Sequence, residues 1–329
     1  MKVELSVALG DYDRTRPLLD GAVRIDGAMP IFLTLSPEEI FFRAFRHADF
    51  DVCELSLSSF VVRSARGDNP YIAVPVFLSR AFRHSAIVVR TDRGIGSPRD
   101  LRGRRIGTPE YQLTACVWAR GLLQDEFGLD PAEVRWVRGG MEQPGRVEKL
   151  DLELPAGVRL EEAPPGCTLP ELLERGEIEG LVGPRLPPQV RDPNAHVGWL
   201  FPDPTGAAME YFQRTRIFPI MHVLGVRRAL VERHPWLPMT LTKAFGQAKA
   251  AASVRLRDTS ASQIMLPFLE EQLLVTERLM GEDFWPYGLE PNRRTLETFL
   301  RYHREQGLSR RELAVEELFH PASLESFKI

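Results

Sequence analysis

Residues 79–85 bring together two guanidinium groups, Arg80 and Arg83, one imidazole, His84, and the hydroxyls of Ser79 and Ser85. A guanidinium fork matches a carboxylate bidentately. An unperturbed imidazole gives or takes a proton near neutral pH. Together these groups can hold an anionic substrate and move protons on it. Apolar runs at 72–78 and 86–89 flank the set and read as buried strands. Strands on both sides would carry a binding site on a rigid support. An exposed loop with solvated arginines has the same composition, so the rest of the chain must decide.

The totals narrow the classes. At 329 residues the chain can build two lobes, each with a core. A formal net charge of -3 gives no case for nucleic acid or a membrane surface as partner. Lysine occurs at only five positions, so positive charge is carried mainly by arginine. Cys53, Cys116 and Cys167 lie far apart with no CxxC, which signals neither a zinc knuckle nor a disulfide framework. Such usage fits a reducing compartment. The N-terminus alternates like a strand and lacks the apolar core of a signal peptide. No window approaches a membrane span. The expected location is the cytoplasm.

Behind the cationic set stand the elements that must position it. Residues 3–9 read as a strand, followed by a polar loop carrying Arg14 and Arg16. Ser36-Pro37-Glu38-Glu39 is a capping box opening a helix to about residue 47. Residues 51–55 read as a strand that ends in Ser56, Ser58 and Ser59, hydroxyls able to cap a helix or hold a ligand. After a strand at 104–107, Thr108-Pro109-Glu110-Tyr111 matches the first positions of a helix to about residue 127. Its free N–H groups, with Gln112 and Thr114 nearby, would form an anion site. Residues 141–165 read as irregular or a hairpin. His222 lies inside the apolar run 217–226. From residue 228 onward helices follow one another.

Alternating strands and helices with a helical C-terminal region predict an α/β fold. The apolar strands near 86–90 and 217–226 bracket a self-contained α/β segment. They are expected to pass between two lobes, residues 1–87 with 218–329 and residues 88–217. Ligands of α/β sheets bind beyond the carboxyl ends of strands, so a cleft between lobes is the expected site.

Six segments carry a family resemblance: PVFLSRAFRHSAIVV, RIGTPEYQLTACVWARGLL, RIFPIMHVLGVRR, HPWLPMTLTKAFGQAK, DFWPYGLEPNRRTLE and EQGLSRRELAVEELF. Together, and in this order, they resemble 4,5-dihydroxyphthalate decarboxylases, from about residue 3 to residue 320. The resemblance implies a two-lobed fold like that of type II periplasmic binding proteins. It implies decarboxylation of a dihydroxylated phthalate to protocatechuate and carbon dioxide. That chemistry needs cationic donors for carboxylates, a base near a phenol and an acid over a ring carbon. It requires no metal or organic cofactor in principle.

Within that reading Arg14, Arg80 and Arg83 are the expected carboxylate anchors. His84, His222 and Glu110 would share the proton transfers. Ser56, Ser58, Ser59, Thr108, Tyr111, Gln112 and Thr114 would line the substrate. The two histidines with Glu110 or Asp11 could instead hold a divalent metal, although no HxH or HxxxH spacing supports it. Each histidine also has a purely structural reading, as a packed and satisfied ring. Two rival functions stay open. One is a binding or sensor protein for a small aromatic acid. The other is an enzyme acting on another hydroxylated aromatic acid. A homo-oligomer is compatible with either.

Overall fold

The computed structural model describes residues 2–324. In chain order the first strands and helices are β1 (Val3–Leu9), α1 (Arg16–Leu19), β2 (Ala28–Thr34), α2 (Pro37–His47), β3 (Val52–Ser56), α3 (Leu57–Arg66), β4 (Tyr71–Arg80) and β5 (Ile87–Arg90). Then come β6 (Arg105–Thr108), α4 (Thr114–Phe127), β7 (Arg135–Arg138), β8 (Arg159–Glu162), α5 (Leu169–Arg175), β9 (Gly180–Val182), β10 (Val197–Trp199) and α6 (Pro204–Thr215). The chain ends with β11 (Ile220–Arg227), α7 (Arg228–Arg233), α8 (Leu237–Leu256), α9 (Leu269–Met280) and α10 (Arg293–Glu305). No helix among the described residues is long and apolar enough to cross a membrane.

These elements form two units. One holds the chain up to Arg80, Ile220–Leu296 and the chain from Leu313. The other holds Ala81–Pro219 and Glu297–Glu312. The division differs from a cut at residues 87 and 218. Residues 81–87 pack with the second unit, and so does the segment 297–312.

In the first unit the strand order is β2-β1-β3-β11-β4. Strand β1 runs parallel to β2 and β3, while β11 is antiparallel to both β3 and β4. Helix α2 starts as its sequence predicts: the Ser36 hydroxyl accepts from Glu39 N at 3.3 Å, with Pro37 at the first position. Strand β4 is longer than the apolar run 72–78 indicates, and Ser79 and Arg80 belong to it rather than to a loop. It is an edge strand, which is why Pro75 is tolerated inside it. Its outer edge is covered. Gly288 N donates to Pro75 O at 2.8 Å, Trp285 Nε1 to Phe77 O at 2.8 Å, and His320 N to Ala73 O at 2.9 Å. Leu5, Val7, Val74, Val76, Leu224, Leu241 and Phe245 are among the core residues.

The second unit has the order β10-β5-β9-β6-β7-β8. Strands β6, β7, β8 and β9 run parallel, and β5 is antiparallel to β9 and β10. Each sheet therefore repeats one plan, with a reversed strand placed between a parallel strand and the sheet's last member. Helix α4 begins at Thr114, not at Pro109, so Thr108 ends a strand and caps nothing. The segment 141–165 contains the parallel strand β8, and α6 opens on an Asp203 side chain that accepts from Gly206 N at 2.9 Å.

Candidate functional site

In the first unit, a buried carboxylate and a histidine meet at one end of the sheet. Register brings them together: β11 places His222 opposite Ser56 and Leu224 opposite Glu54. Glu54 and His222 are thus diagonal neighbours on one face, within reach of long side chains. His222 Nδ1 lies 2.5 Å from Glu54 Oε1. The Glu54 side chain is fully buried, and that of His222 is 18% exposed. Tyr12 donates its hydroxyl to the same Glu54 oxygen at 2.8 Å, and Gly10 N donates to Oε2 at 3.0 Å. Gly10 has to be glycine for this loop, since a Cβ there would sit 2.4 Å from Tyr12 Cζ. His222 Nε2 makes no hydrogen bond among the described residues.

The electrostatics follow from these contacts. Burial pushes the Glu54 carboxyl up. The pull of His222, the Tyr12 hydroxyl and the Gly10 N–H outweighs it, and the carboxyl ends below its ordinary range. Burial first, and then the facing Glu54 charge, push the Tyr12 phenol well up, so it stays a neutral donor. A buried carboxylate on Nδ1 fixes the orientation of the ring. An imidazole so held can exchange a proton with a substrate through Nε2.

Around this pair, β3 runs directly into α3, whose N-cap is Ser56. The Ser56 side chain makes no capping bond there, and Ser58 and Ser59 are buried in the first turn. The N-terminus of α3, with its positive dipole end, thus stands at the carboxyl end of β3, a parallel partner of β1, the position where anions bind in such sheets. Arg14 lies between two rings, 4.3 Å from the centre of Tyr12 and 4.4 Å from that of Trp285. Its Nε donates to Leu78 O at 2.8 Å. Arg80 is 6% exposed and donates to Pro286 O at 2.8 Å and to Asn292 Oδ1. Burial pulls its guanidinium down to about 9, still charged at neutral pH.

The second unit holds a different cluster. Glu110 is fully buried between Arg146 and Lys149, accepting from Arg146 NH2 and Lys149 Nζ, each at 2.6 Å. Glu148 takes the N–H of Tyr111 at 2.5 Å and that of Gln112 at 3.4 Å, so the anion site expected before α4 is filled from within the chain. The Thr108 hydroxyl lies 3.3 Å from both Glu110 O and Cys116 Sγ. The buried Gln112 amide lies against the backbone of Lys149 and Leu150. Tyr111 packs beneath Arg120, and Thr114 is buried as the first residue of α4. His84 is 3% exposed and edge-on to Phe201 and Tyr211. Burial, helped by the charge of Arg214, pulls its pKa down to about 4. Burial likewise pulls Arg83 down to about 10. Among the described residues no three His, Cys, Asp or Glu side chains gather as metal ligands do.

Known proteins place this geometry in a family. 4,5-Dihydroxyphthalate decarboxylase from Comamonas testosteroni is 57% identical over 328 residues, covering 100% of this chain and 99% of its own length. The enzyme of the same name from Pseudomonas putida is 56% identical over 212 residues, 64% of this chain and 82% of its own. The chain belongs to the 4,5-dihydroxyphthalate decarboxylase family. The NMT1/THI5 like family also matches, over residues 59–147. The periplasmic aliphatic sulphonate binding protein SsuA from Escherichia coli superposes with a TM-score of 0.54 at 11% identity, covering 97% of this chain and 98% of that one. That likeness identifies the fold as the periplasmic-binding-protein-like α/β class.

Within this decarboxylase family member, the structure groups the expected site residues unevenly. His222, Ser56, Ser58, Ser59 and Arg14 fall in the first unit near one end of its sheet. Arg80 ends β4 in the same unit but serves the segment 286–292. Arg83, His84, Glu110, Thr108, Tyr111, Gln112 and Thr114 fall in the second. Glu110 has both oxygens engaged, which leaves it poorly placed as a phenol base. Glu54 and Tyr12 were missed. A carboxylate inside the apolar strand VCELS was the available signal, since a buried charge demands a partner.

Proposed function

We propose that this chain removes one carboxylate of 4,5-dihydroxyphthalate as carbon dioxide and leaves protocatechuate. The full-length relationship to the Comamonas testosteroni decarboxylase carries the reaction. The Glu54–His222 pair carries the assignment of the proton donor.

Direct loss of carbon dioxide would leave an aryl anion in the ring plane, without π stabilisation. The hydroxyl para to the departing carboxylate avoids this. Its proton passes to solvent, which returns it to the phenolate at the end; the freed electron pair enters the ring, and the carboxylate-bearing carbon takes a proton. The C–C bond to the carboxylate then breaks, its electrons restore the aromatic ring, and the oxygen becomes a phenolate again. The net change consumes one proton per carbon dioxide. His222 gives that proton from Nε2, held in place by Glu54 through Nδ1 and by Tyr12 behind Glu54. The N-terminus of α3, with Ser56, Ser58 and Ser59, holds a substrate carboxylate, and Arg14 adds positive charge. The substrate's own para hydroxyl is the electron source, so the route calls on no cofactor. The location that fits this role is the cytoplasm.

The experiment is turnover of 4,5-dihydroxyphthalate by chelator-treated protein, with protocatechuate followed by chromatography. Wild type is expected to form product. His222→Gln is expected to lose about 10²–10⁴-fold in kcat, the worth of a positioned proton donor. Binding of the aromatic acid without product would replace the enzyme with a binding protein. Turnover of a different hydroxylated aromatic acid would move the substrate and keep the chemistry.

A further inference from the structure

The segment from Ile264 to Val275 shows water an apolar surface that the first unit leaves uncovered. Helix α9 has no buried residue. Ile264 is 38% exposed, Met265 fully, Leu266 55%, Phe268 74%, Leu274 45% and Val275 37%. The exposed areas of these residues add to roughly 700 Å², the scale of the ~800 Å² per partner that a stable protein interface buries. The area argues for a macromolecular partner.

The charges on α9 say which partner. Glu271, Leu274, Val275 and Arg278 recur at i, i+3, i+4 and i+7 and so share one face. Glu271 and Arg278 are exposed, and neither has an ion-pair partner among the described residues. Opposite charges therefore flank an apolar centre at equal distance along the helix. A second α9 laid antiparallel across a two-fold axis at Leu274 and Val275 meets this face with perfect sign match. Glu271 of each copy then faces Arg278 of the other, as an isologous interface requires. A parallel arrangement would set like charges against each other. Arg257 from the end of α8 holds Glu277 at 2.8 Å, so Glu277 is already engaged and plays no part in the pairing.

We propose that α9 and the segment before it are the interface of a homodimer with antiparallel α9 helices. The proposal stands independently of the reaction assigned above.

Light scattering coupled to gel filtration on the full chain, across a concentration series, tests it. Wild type is expected at the mass of two chains or a multiple of it. Leu274→Lys is expected to weaken association by on the order of 30-fold or more, as loss of a central anchor does, with the far-ultraviolet circular dichroism unchanged. Glu271→Lys alone is expected to weaken association and Glu271→Lys with Arg278→Glu to restore it, a readout that does not depend on the Leu274 variant folding. A wild-type monomer at every concentration overturns the proposal, and so does a monomer that binds lipid vesicles instead. A multimer indifferent to Leu274→Lys and to both charge variants also overturns it.

Discussion

At the scale of single residues, Glu54 is the sharpest test of the site. Glu54→Gln keeps the shape and the hydrogen-bond reach but removes the charge behind His222. The His222 ring loses its buried anionic partner, and the amide can present its N–H₂ group to Nδ1, favouring the wrong tautomer. The expected outcome is a fall in kcat on the order of 10²–10⁴-fold with KM little changed, measured as protocatechuate formed per unit time. Tyr12→Phe removes one neutral donor to Glu54 and is expected to cost less, because Gly10 N and His222 still hold the carboxylate. His84 belongs to a different argument. Its folded-state pKa is near 4 against an ordinary 6.5, so between those values the unfolded chain binds a proton that the folded chain refuses. Stability from this ring is complete above pH 6.5 and is lost as pH falls toward 4, by about 3 kcal/mol in all. His84→Phe removes that proton and keeps a ring against Phe201 and Tyr211. Denaturant titrations from pH 7 to 4 are expected to show a shallower decline in the variant. His222 was legible as a histidine inside an apolar strand. Its partner Glu54 was not, because strand register, rather than sequence spacing, brings residues 54 and 222 together.

At the scale of elements, local signals were read well where they were self-contained and poorly where tertiary contacts decided. The Ser36 cap and the helices α7, α8 and α10 depend on caps and periodicity, and they form close to where the sequence places them. The start of α4 does not. Thr108-Pro109 has the look of a helix start, but β6 needs Thr108 to pair with Arg138 on β7, and the chain turns before Thr114. Arg80 reads as a loop cation because the hydrogen bonds that use it come from residues 286 and 292, more than two hundred positions away. One packing contact inside the second unit gives a test at this scale. A Cβ on Gly121 of α4 would lie 2.1 Å from Tyr302 Cδ2 on α10, and Tyr302 is buried, with its hydroxyl on Asp125 at 2.6 Å. The ring is pinned at its far end and cannot withdraw cheaply. Gly121→Ala is expected to destabilise by about 1–3 kcal/mol through overpacking, read as a lowered midpoint in urea with the slope unchanged.

At the scale of the whole molecule, the chain crosses between its units at Arg80–Ala81, Pro219–Ile220, Leu296–Glu297 and Glu312–Leu313. The last two crossings were not legible, because a helical tail reads as one appendage whatever it packs on. Within the second unit, the segment 297–312 is part of the core rather than a covering. Gln306 accepts from Arg120 Nε at 2.8 Å and donates to Val117 O at 2.9 Å, with both residues buried. Trp118 packs on Phe299 at 5.3 Å and on Tyr302 at 5.6 Å between ring centres. A fragment of residues 81–219 would therefore leave a buried guanidinium without Gln306 and an indole open to water, costs of several kcal/mol that compare with a domain's whole stability. Such a fragment is expected to lack a cooperative melt and a near-ultraviolet dichroism signal. Joining residues 297–312 to it through a flexible Gly/Ser linker is expected to restore both, since the linker costs only loop-closure entropy. A fragment that melts cooperatively without the segment would show that α10 only decorates this unit, and that the contact to Arg120 contributes little to it.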